Sequence, residues 1–165
     1  MNSYGEKGKQ ASVEGFAHEH IVVGILMKRF QNVSLVDLPL SSYDIIVVFK
    51  KANGTEEIIR AQVKTAKKQI SFTGGTRGGV DRKYKSSIKE YRQSTTTSDV
   101  VIGVCPHEND AFDLYFVPTI LIEKLNQKSI SINKVIKLKN NYEILKHCKN
   151  YEWVLMKCKE YGIIK

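Results

Sequence analysis

Asp44, Gln62 and Lys64 have side chains that together could hold a hard divalent cation and a reactive water. Asp44 begins a predicted strand, and the other two lie two residues apart on the next strand, so they point to the same face. Glu14, on a preceding helix, can supply a further carboxylate. Oxygen ligands suit Mg²⁺, and a cation of this type promotes attack of water on a phosphodiester. The spacing therefore indicates a compact metal and water site.

The register of the predicted hairpin decides whether these side chains meet. A two-residue Asn-Gly turn would place Asp44 opposite Val63. A three-residue loop that ends in a left-handed Gly54 would instead place Asp44 opposite Gln62. Only the odd-length loop, or a compensating bulge, brings Asp44, Gln62 and Lys64 together.

The segment from Ala11 to Phe30 is predicted to be a helix, because apolar residues recur at helical spacing and Ser12 can cap its start. Glu14 shares a stripe with His18 and Ile21, so its carboxylate would lie along an apolar face, where an unpaired charge is costly. The alternative is a first-turn glutamate that interacts favourably with the positive end of the helix dipole.

The remaining elements complete a chain in which helices alternate with strands. We predict antiparallel strands over 43–50 and 57–65, a helix over 83–93, strands over 99–105 and 114–117, and a helix over 119–126. The segment 143–161 fits either a helix or a strand. This order predicts an α/β (α+β) fold with a mixed β-sheet flanked by helices. The length of 165 residues favours one domain, with a core over 1–125 and an extension over 126–165 that serves as an interface or specificity element.

The positive charge of the chain is concentrated in one segment. The whole chain carries +9, and the segment from Lys64 to Gln93 has nine basic and two acidic residues. Glycines 74, 75, 78 and 79 predict a mobile loop there, whose backbone can approach a phosphate closely. A solvated charged face is the simpler alternative. Next to the metal site, the segment favours DNA phosphate contacts by Lys67, Lys68, Arg77, Arg82, Lys83 and Lys85.

Other sequence features exclude several classes of protein. The longest apolar stretch, Ile21 to Met27, is far shorter than the roughly 20 residues of a membrane span, and we expect neither a span nor a secretory signal. Three cysteines without a CxxC pair predict neither a disulfide framework nor a four-thiolate zinc site, so we expect a cytoplasmic protein. His18 and His20 lie two residues apart, so on a helix they point about 200° apart and cannot share one ion.

The motifs together resemble those of the PD-(D/E)xK nuclease superfamily. The branch that uses QxK in place of ExK is the most similar, as in intron-encoded homing endonucleases of that fold and, more distantly, archaeal Holliday junction resolvases. The resemblance covers roughly residues 8 to 125, and its motifs are Glu14, SSYD at 41–44, AQVKT at 61–65, Phe72, Asp99 with VVIGVCP at 100–106, and LYFVP at 114–118.

This resemblance implies a restriction-endonuclease-like core and a role for each matching residue. Asp44, the Gln62 amide oxygen, the Val63 carbonyl and Glu14 would be metal ligands, and Lys64 would orient or activate the attacking water. The implied cofactor is Mg²⁺, with Mn²⁺ as a substitute. The implied activity is hydrolysis of double-stranded DNA by a restriction-like or homing enzyme. Cutting both strands requires at least a homodimer.

Two departures from the family pattern leave other functions open. Tyr43 stands where the name-giving proline would be, and Gln62 replaces a carboxylate, so the site has one negative charge fewer and should hold metal less tightly. Metal would then arrive mainly with DNA. One alternative is a structure-specific Holliday junction resolvase. The other is a non-catalytic nucleic-acid-binding protein on a nuclease fold.

Overall fold

The computed structural model describes residues 3–38, 40–75 and 90–165. In chain order its elements are α1 (Ser3–Phe30), β1 (Val33–Leu35), β2 (Ile45–Lys50), β3 (Glu56–Thr65), β4 (Gln69–Ser71), β5 (Thr73–Gly75), β6 (Glu90–Arg92), β7 (Val100–Pro106), β8 (Phe112–Pro118), α2 (Thr119–Leu125), β9 (Ser129–Ser131), a 3₁₀ segment (Ile132–Leu138), α3 (Tyr142–His147) and α4 (Tyr151–Glu160).

A mixed five-stranded sheet, in the order β1-β2-β3-β7-β8, forms the centre of the fold. Only the β3 to β7 pairing is parallel, and the other neighbours are antiparallel. Strands β4 and β9 form a second small sheet, and β5 and β6 form a third. The predicted α+β class, a mixed sheet flanked by helices, is confirmed.

The hairpin of β2 and β3 has the register that the odd-length loop requires. Ile45 lies opposite Ala61, so Asp44 lies opposite Gln62 one step further along the same antiparallel ladder. The loop is closed by a hydrogen bond of 2.8 Å from the Lys51 N–H to the Thr55 carbonyl. Gly54 has a φ of 81°, the left-handed conformation that glycine adopts without strain. The three-residue loop is therefore confirmed.

Alternation of side chains along β3 separates the core from the polar face. Ile59, Ala61 and Val63 are buried. Gln62 and Lys64, which alternate with them along the strand, are half-buried. Burial of each larger apolar side chain contributes roughly 1.5–3 kcal/mol to folding. The buried strand face thus fixes β3 in place and holds Gln62 and Lys64 at a partly open surface.

Helix α1 differs from its prediction in length and in its buried face. It begins at Ser3, eight residues before the predicted start. Val13 and Phe16 are 64% and 62% exposed, although their spacing suggested core positions. The buried stripe consists of His18, Val22 and Leu26, at intervals of four residues, which follow one face of a helix.

The predicted helix over 83–93 is wrong at its C-terminal end. Glu90–Arg92 is strand β6, which pairs antiparallel with Thr73–Gly75, and residues 83–89 lie outside the described residues. A Cβ at Gly74 would lie 2.6 Å from the Tyr91 ring, so glycine is needed here for close packing. The sequence analysis instead predicted that Gly74 belongs to a mobile loop that approaches a phosphate.

Residues 126–165 pack against the sheet and contribute to its core. Strand β9 pairs with β4, and Ile144, Val154 and Cys158 are fully buried. The segment that fitted either helix or strand forms α3 and α4, and the Asn150 side chain caps α4 by accepting from the Trp153 N–H at 3.1 Å. A boundary at residue 125 stays a prediction. Within the described ranges, no helix is long and apolar enough to span a membrane.

Candidate active site

Asp44 lies at the head of β2 and joins the two strands of the hairpin through its side chain. Its Oδ2 accepts hydrogen bonds from the Gln62 Nε2 at 2.6 Å and from the Val63 N–H at 2.8 Å. Its own N–H donates to the Ala61 carbonyl at 2.9 Å. Among the hydrogen bonds of the described residues, none reaches Asp44 Oδ1.

The polar turn before β2 holds Asp44 in position. The Ser41 hydroxyl donates to the Tyr43 carbonyl at 2.6 Å and accepts from the Tyr43 N–H at 3.2 Å. The Ser42 hydroxyl donates to the Thr97 carbonyl at 2.6 Å, which ties the turn to the loop before β7. Serines stabilise such turns because a short hydroxyl side chain reaches neighbouring backbone groups.

Lys64 supplies the positive charge next to Asp44. Burial raises the pKa of the Asp44 carboxyl, and the Val63 N–H, the Lys64 charge and the Gln62 amide oppose that rise. Gln62 and Lys64 share one face of β3, as their spacing predicts. The structure thus brings together three of the predicted site residues.

The helical carboxylate next to these residues is Glu19, which the sequence analysis did not select. Burial, and then the negative charge of Asp44, raises the pKa of Glu19 to about 7, against the positive charges of His20 and Lys64. Glu19 follows the buried His18 and lies three residues before the buried Val22. The buried stripe at intervals of four residues extends back from His18 to Glu14, so spacing alone would not have selected Glu19.

Glu14 is half-buried and lies five residues before Glu19 on the same helix. On an α-helix, five residues correspond to about 7.5 Å along the axis and about 140° around it. No hydrogen bond within the described ranges joins Glu14 to Asp44, Gln62 or Lys64. A metal-ligand role for Glu14 stays a prediction, and Glu19 has the stronger electrostatic link to Asp44.

His18 fixes the position of α1 against the end of β3. It is 5% exposed, and its Nδ1 lies 2.7 Å from the Thr65 Oγ1. The exposed His20 instead forms a hydrogen bond through Nδ1 with the Phe16 carbonyl of its own helix at 2.9 Å. The two imidazoles thus have different hydrogen-bond partners, and that they do not share an ion stays a prediction. Anchoring of His18 also positions the neighbouring Glu19.

Gln93 is a second residue that sequence reasoning missed. It is fully buried, and its Nε2 donates to the Gln62 Oε1 at 3.2 Å and to the Ser42 carbonyl at 3.4 Å. Its Oε1 accepts from the Thr97 hydroxyl at 2.6 Å and from the Ser98 hydroxyl at 2.8 Å. Only the polar run that follows Gln93 could have indicated such a network.

We call Glu19, Asp44, Gln62, Lys64 and the Val63 carbonyl the Asp44 site. Carboxylate, amide and carbonyl oxygens are the donors that Mg²⁺ and Mn²⁺ prefer, and two nearby carboxylates with raised pKa values are stabilised by a cation. In the described part of the chain, no cluster of three or more His, Cys, Asp or Glu is placed to hold a metal. The two carboxylates of this site therefore fit a divalent cation only if amide or carbonyl oxygens, and ligands from outside the site such as water or phosphate oxygens, complete its coordination shell.

The predicted DNA contacts are only partly covered by the structure. Lys67 and Lys68 are exposed just after β3, the strand that carries Lys64. Arg77, Arg82, Lys83 and Lys85 lie outside the described residues.

The chain matches no protein-family model and no curated protein. Among solved structures it is similar to that of a bacterial homing endonuclease, I-Ssp6803I. The similarity covers 73% of this chain and 76% of that chain, with 15% sequence identity and a TM-score of 0.47.

Proposed function

We propose that the chain is a Mg²⁺-dependent endonuclease that hydrolyses phosphodiester bonds of double-stranded DNA, as a restriction-like or homing enzyme. The main support is the Asp44 site, where Asp44 accepts hydrogen bonds from Gln62 and Val63 at 2.6 and 2.8 Å beside the Lys64 charge and the Glu19 carboxylate. Acidic, amide and ammonium groups in one partly open site suit phosphodiester hydrolysis.

Each residue then has a chemical role in attack by water. Asp44 and Glu19, with the Gln62 amide oxygen or the Val63 carbonyl, would hold the cation, which when bound supplies charge that neutralises phosphate oxygens and acidifies water. Lys64 orients the attacking water and stabilises negative charge that develops on the phosphate. The water oxygen bonds to phosphorus as the ester P–O bond breaks, and the departing oxygen takes up a proton.

The basic surface supplies affinity for the substrate. Lys67 and Lys68 would neutralise DNA phosphates, and Arg77, Arg82, Lys83 and Lys85 belong to the same strongly basic segment. Such contacts make binding fall steeply as the salt concentration rises. One site per chain cuts one strand at a time, so cutting of both strands requires a homodimer or a higher homo-oligomer.

Nicking of supercoiled plasmid in Mg²⁺ tests this function. The wild-type protein should nick the plasmid with Mg²⁺ or Mn²⁺ and lose the activity in EDTA. Asp44→Ala and Lys64→Ala should abolish nicking and keep salt-sensitive DNA binding, measured by gel shift. Normal cutting by both variants would overturn the assignment of the site.

The orientation of the Gln62 amide favours one other function, binding of nucleic acid without hydrolysis. Gln62 turns its NH₂ group, and not its oxygen, towards Asp44 Oδ2. In that orientation the partial positive charge of the NH₂ group compensates the Asp44 carboxylate without a cation. Salt-sensitive DNA binding by a wild-type protein that nicks no substrate, including a four-way junction, in either metal would support this alternative.

A further inference from the structure

The NH₂ group of Gln62 lies between two oxygens of the Asp44 site. Its Nε2 is 2.6 Å from Asp44 Oδ2 and 3.5 Å from the Val63 carbonyl oxygen. Both oxygens are ligands in the proposed function. An NH₂ group carries partial positive charge and cannot ligate a metal, so a cation that binds between these oxygens must displace it.

Rotation of the Gln62 amide by half a turn would present its oxygen to the cation, but the rotation affects Gln93. Gln62 Oε1 accepts from the Gln93 Nε2 at 3.2 Å. After the rotation, the Gln62 NH₂ group would face the Gln93 NH₂ group, and two donors would oppose each other. Gln93 is fully buried, so water cannot relieve this conflict at low cost.

A matching half-turn of Gln93 resolves the conflict between the two NH₂ groups, because both partners of the Gln93 oxygen are hydroxyls. Thr97 Oγ1 and Ser98 Oγ now donate to Gln93 Oε1, and each hydroxyl can accept instead. The Thr97 hydroxyl can direct its hydrogen to the Ser94 carbonyl, which lies 3.0 Å away. The Ser42 carbonyl would lose its hydrogen bond of 3.4 Å from Gln93, which favours the first orientation when no cation is bound.

We propose that Gln93 is a positioning residue whose amide reverses together with that of Gln62, and so determines whether Gln62 offers its oxygen to a metal ion. We call Gln62 and Gln93 the amide pair. The inference rests on the proposed function, because it concerns the metal of that site. It adds that metal affinity depends on a buried residue that contacts neither the metal nor DNA.

Mn²⁺ binding, measured by titration calorimetry, tests the amide pair. Gln93→Leu removes the donor that holds Gln62 in its present orientation, together with the Ser42 hydrogen bond that the coupled reversal would break, and should tighten Mn²⁺ binding by about fivefold. Gln62→Glu is the matched background, because a carboxylate offers an oxygen in either orientation. In that background Gln93→Leu should change the affinity by less than about twofold.

Side-chain amide NMR gives a second readout that does not require Gln93→Leu to fold. In wild-type protein, Mg²⁺ should shift the NH₂ signals of both Gln62 and Gln93, which the Gln62→Glu and Gln93→Glu variants identify by their absence. Gln93→Glu keeps an acceptor facing Gln62 permanently, and should retain or strengthen Mn²⁺ binding.

The outcomes separate this inference from the proposed function. Absence of Mn²⁺ binding and of Mg²⁺-induced shifts in the wild-type protein would overturn both. Two results would overturn the coupled reversal and leave the metal site intact. One is wild-type binding in which Mg²⁺ shifts only the Gln62 signal, and the other is a Gln93→Leu variant that weakens Mn²⁺ binding or changes it equally in both backgrounds.

Discussion

Asp44 and Asp99 lie beside the same strand and use the same backbone contact, yet they have different surroundings. Each accepts a β3 backbone N–H at 2.8 Å, Asp44 from Val63 and Asp99 from Arg60. The Arg60 guanidinium then donates to both oxygens of Asp99, at 3.1 and 2.8 Å. Asp44 has only the Gln62 amide as a further hydrogen-bond donor among the described residues.

The two carboxylates therefore differ in how completely their charge is compensated. A bidentate Arg60 neutralises Asp99 and leaves it no capacity for a ligand. Asp44 instead lies close enough to Glu19 for its charge to raise the pKa of Glu19. A carboxylate kept next to another carboxylate is costly unless it binds something. Under the proposed function, Asp99 contributes stability and Asp44 contributes to the chemistry.

Among these variants, loss of the Asp44 charge should reduce the nicking rate the most. Asp44→Asn should lower the Mg²⁺-dependent nicking rate by at least about 100-fold, because removal of one electrostatic contact to the reacting groups commonly costs that much. The melting temperature in EDTA should stay level or rise, because burial disfavours the charged form of Asp44. A variant that melts much earlier than wild type would show that Asp44, like Asp99, is structural.

Asp99→Asn is the matched substitution at the compensated carboxylate. Breaking a buried ion pair costs 3–5 kcal/mol, and the partial exposure of Arg60, 31% of its side chain, reduces the expected loss to about 2 kcal/mol. Thermal unfolding should shift down by about 4–8 °C. At temperatures well below the melting temperature of the variant, its nicking rate should stay within a few-fold of wild type. A rate as low as that of Asp44→Asn would remove the distinction between the two aspartates.

The two helical glutamates extend the comparison to α1. Glu19→Gln should lower the nicking rate by about 10-fold to 100-fold, because Glu19 lies in the electrostatic field of Asp44 and Lys64. Glu14→Gln, on the same helix, should stay near the wild-type rate. Single-turnover rates at saturating protein measure both variants. The reverse order would restore the sequence-based assignment of Glu14.

The hairpin and the helical glutamate show what the sequence could and could not predict. The loop that ends in Gly54 is local turn chemistry, and its odd length alone fixes Asp44 opposite Gln62. Glu19 depends on which side of α1 is buried, and that is set by long-range contacts such as the His18 to Thr65 hydrogen bond. Gln93 depends on pairing of β5 with β6, which a predicted helix over the same residues had hidden.

The pH dependence of stability should show the smallest effect, and it tests whether Glu19 is buried beside the charge of Asp44. The folded-state pKa of Glu19 is about 7, above the ordinary value of 4.5, so the folded protein binds this proton more tightly than the unfolded chain does. Protonation of Glu19 therefore favours the folded state. The contribution of Glu19 to the free energy of unfolding is fully present below about pH 4.5 and is lost as the pH rises to about 7.

Melting temperatures in EDTA between pH 5 and pH 8 measure this contribution. Glu19→Gln, which cannot ionise, should melt above wild type at pH 8, and the difference should shrink towards pH 5. Glu14→Gln is the control on the same helix and should follow the wild-type curve. If Glu19→Gln also follows that curve, neither burial nor the charge of Asp44 disfavours ionised Glu19, and the helix supplies no second carboxylate to the Asp44 site.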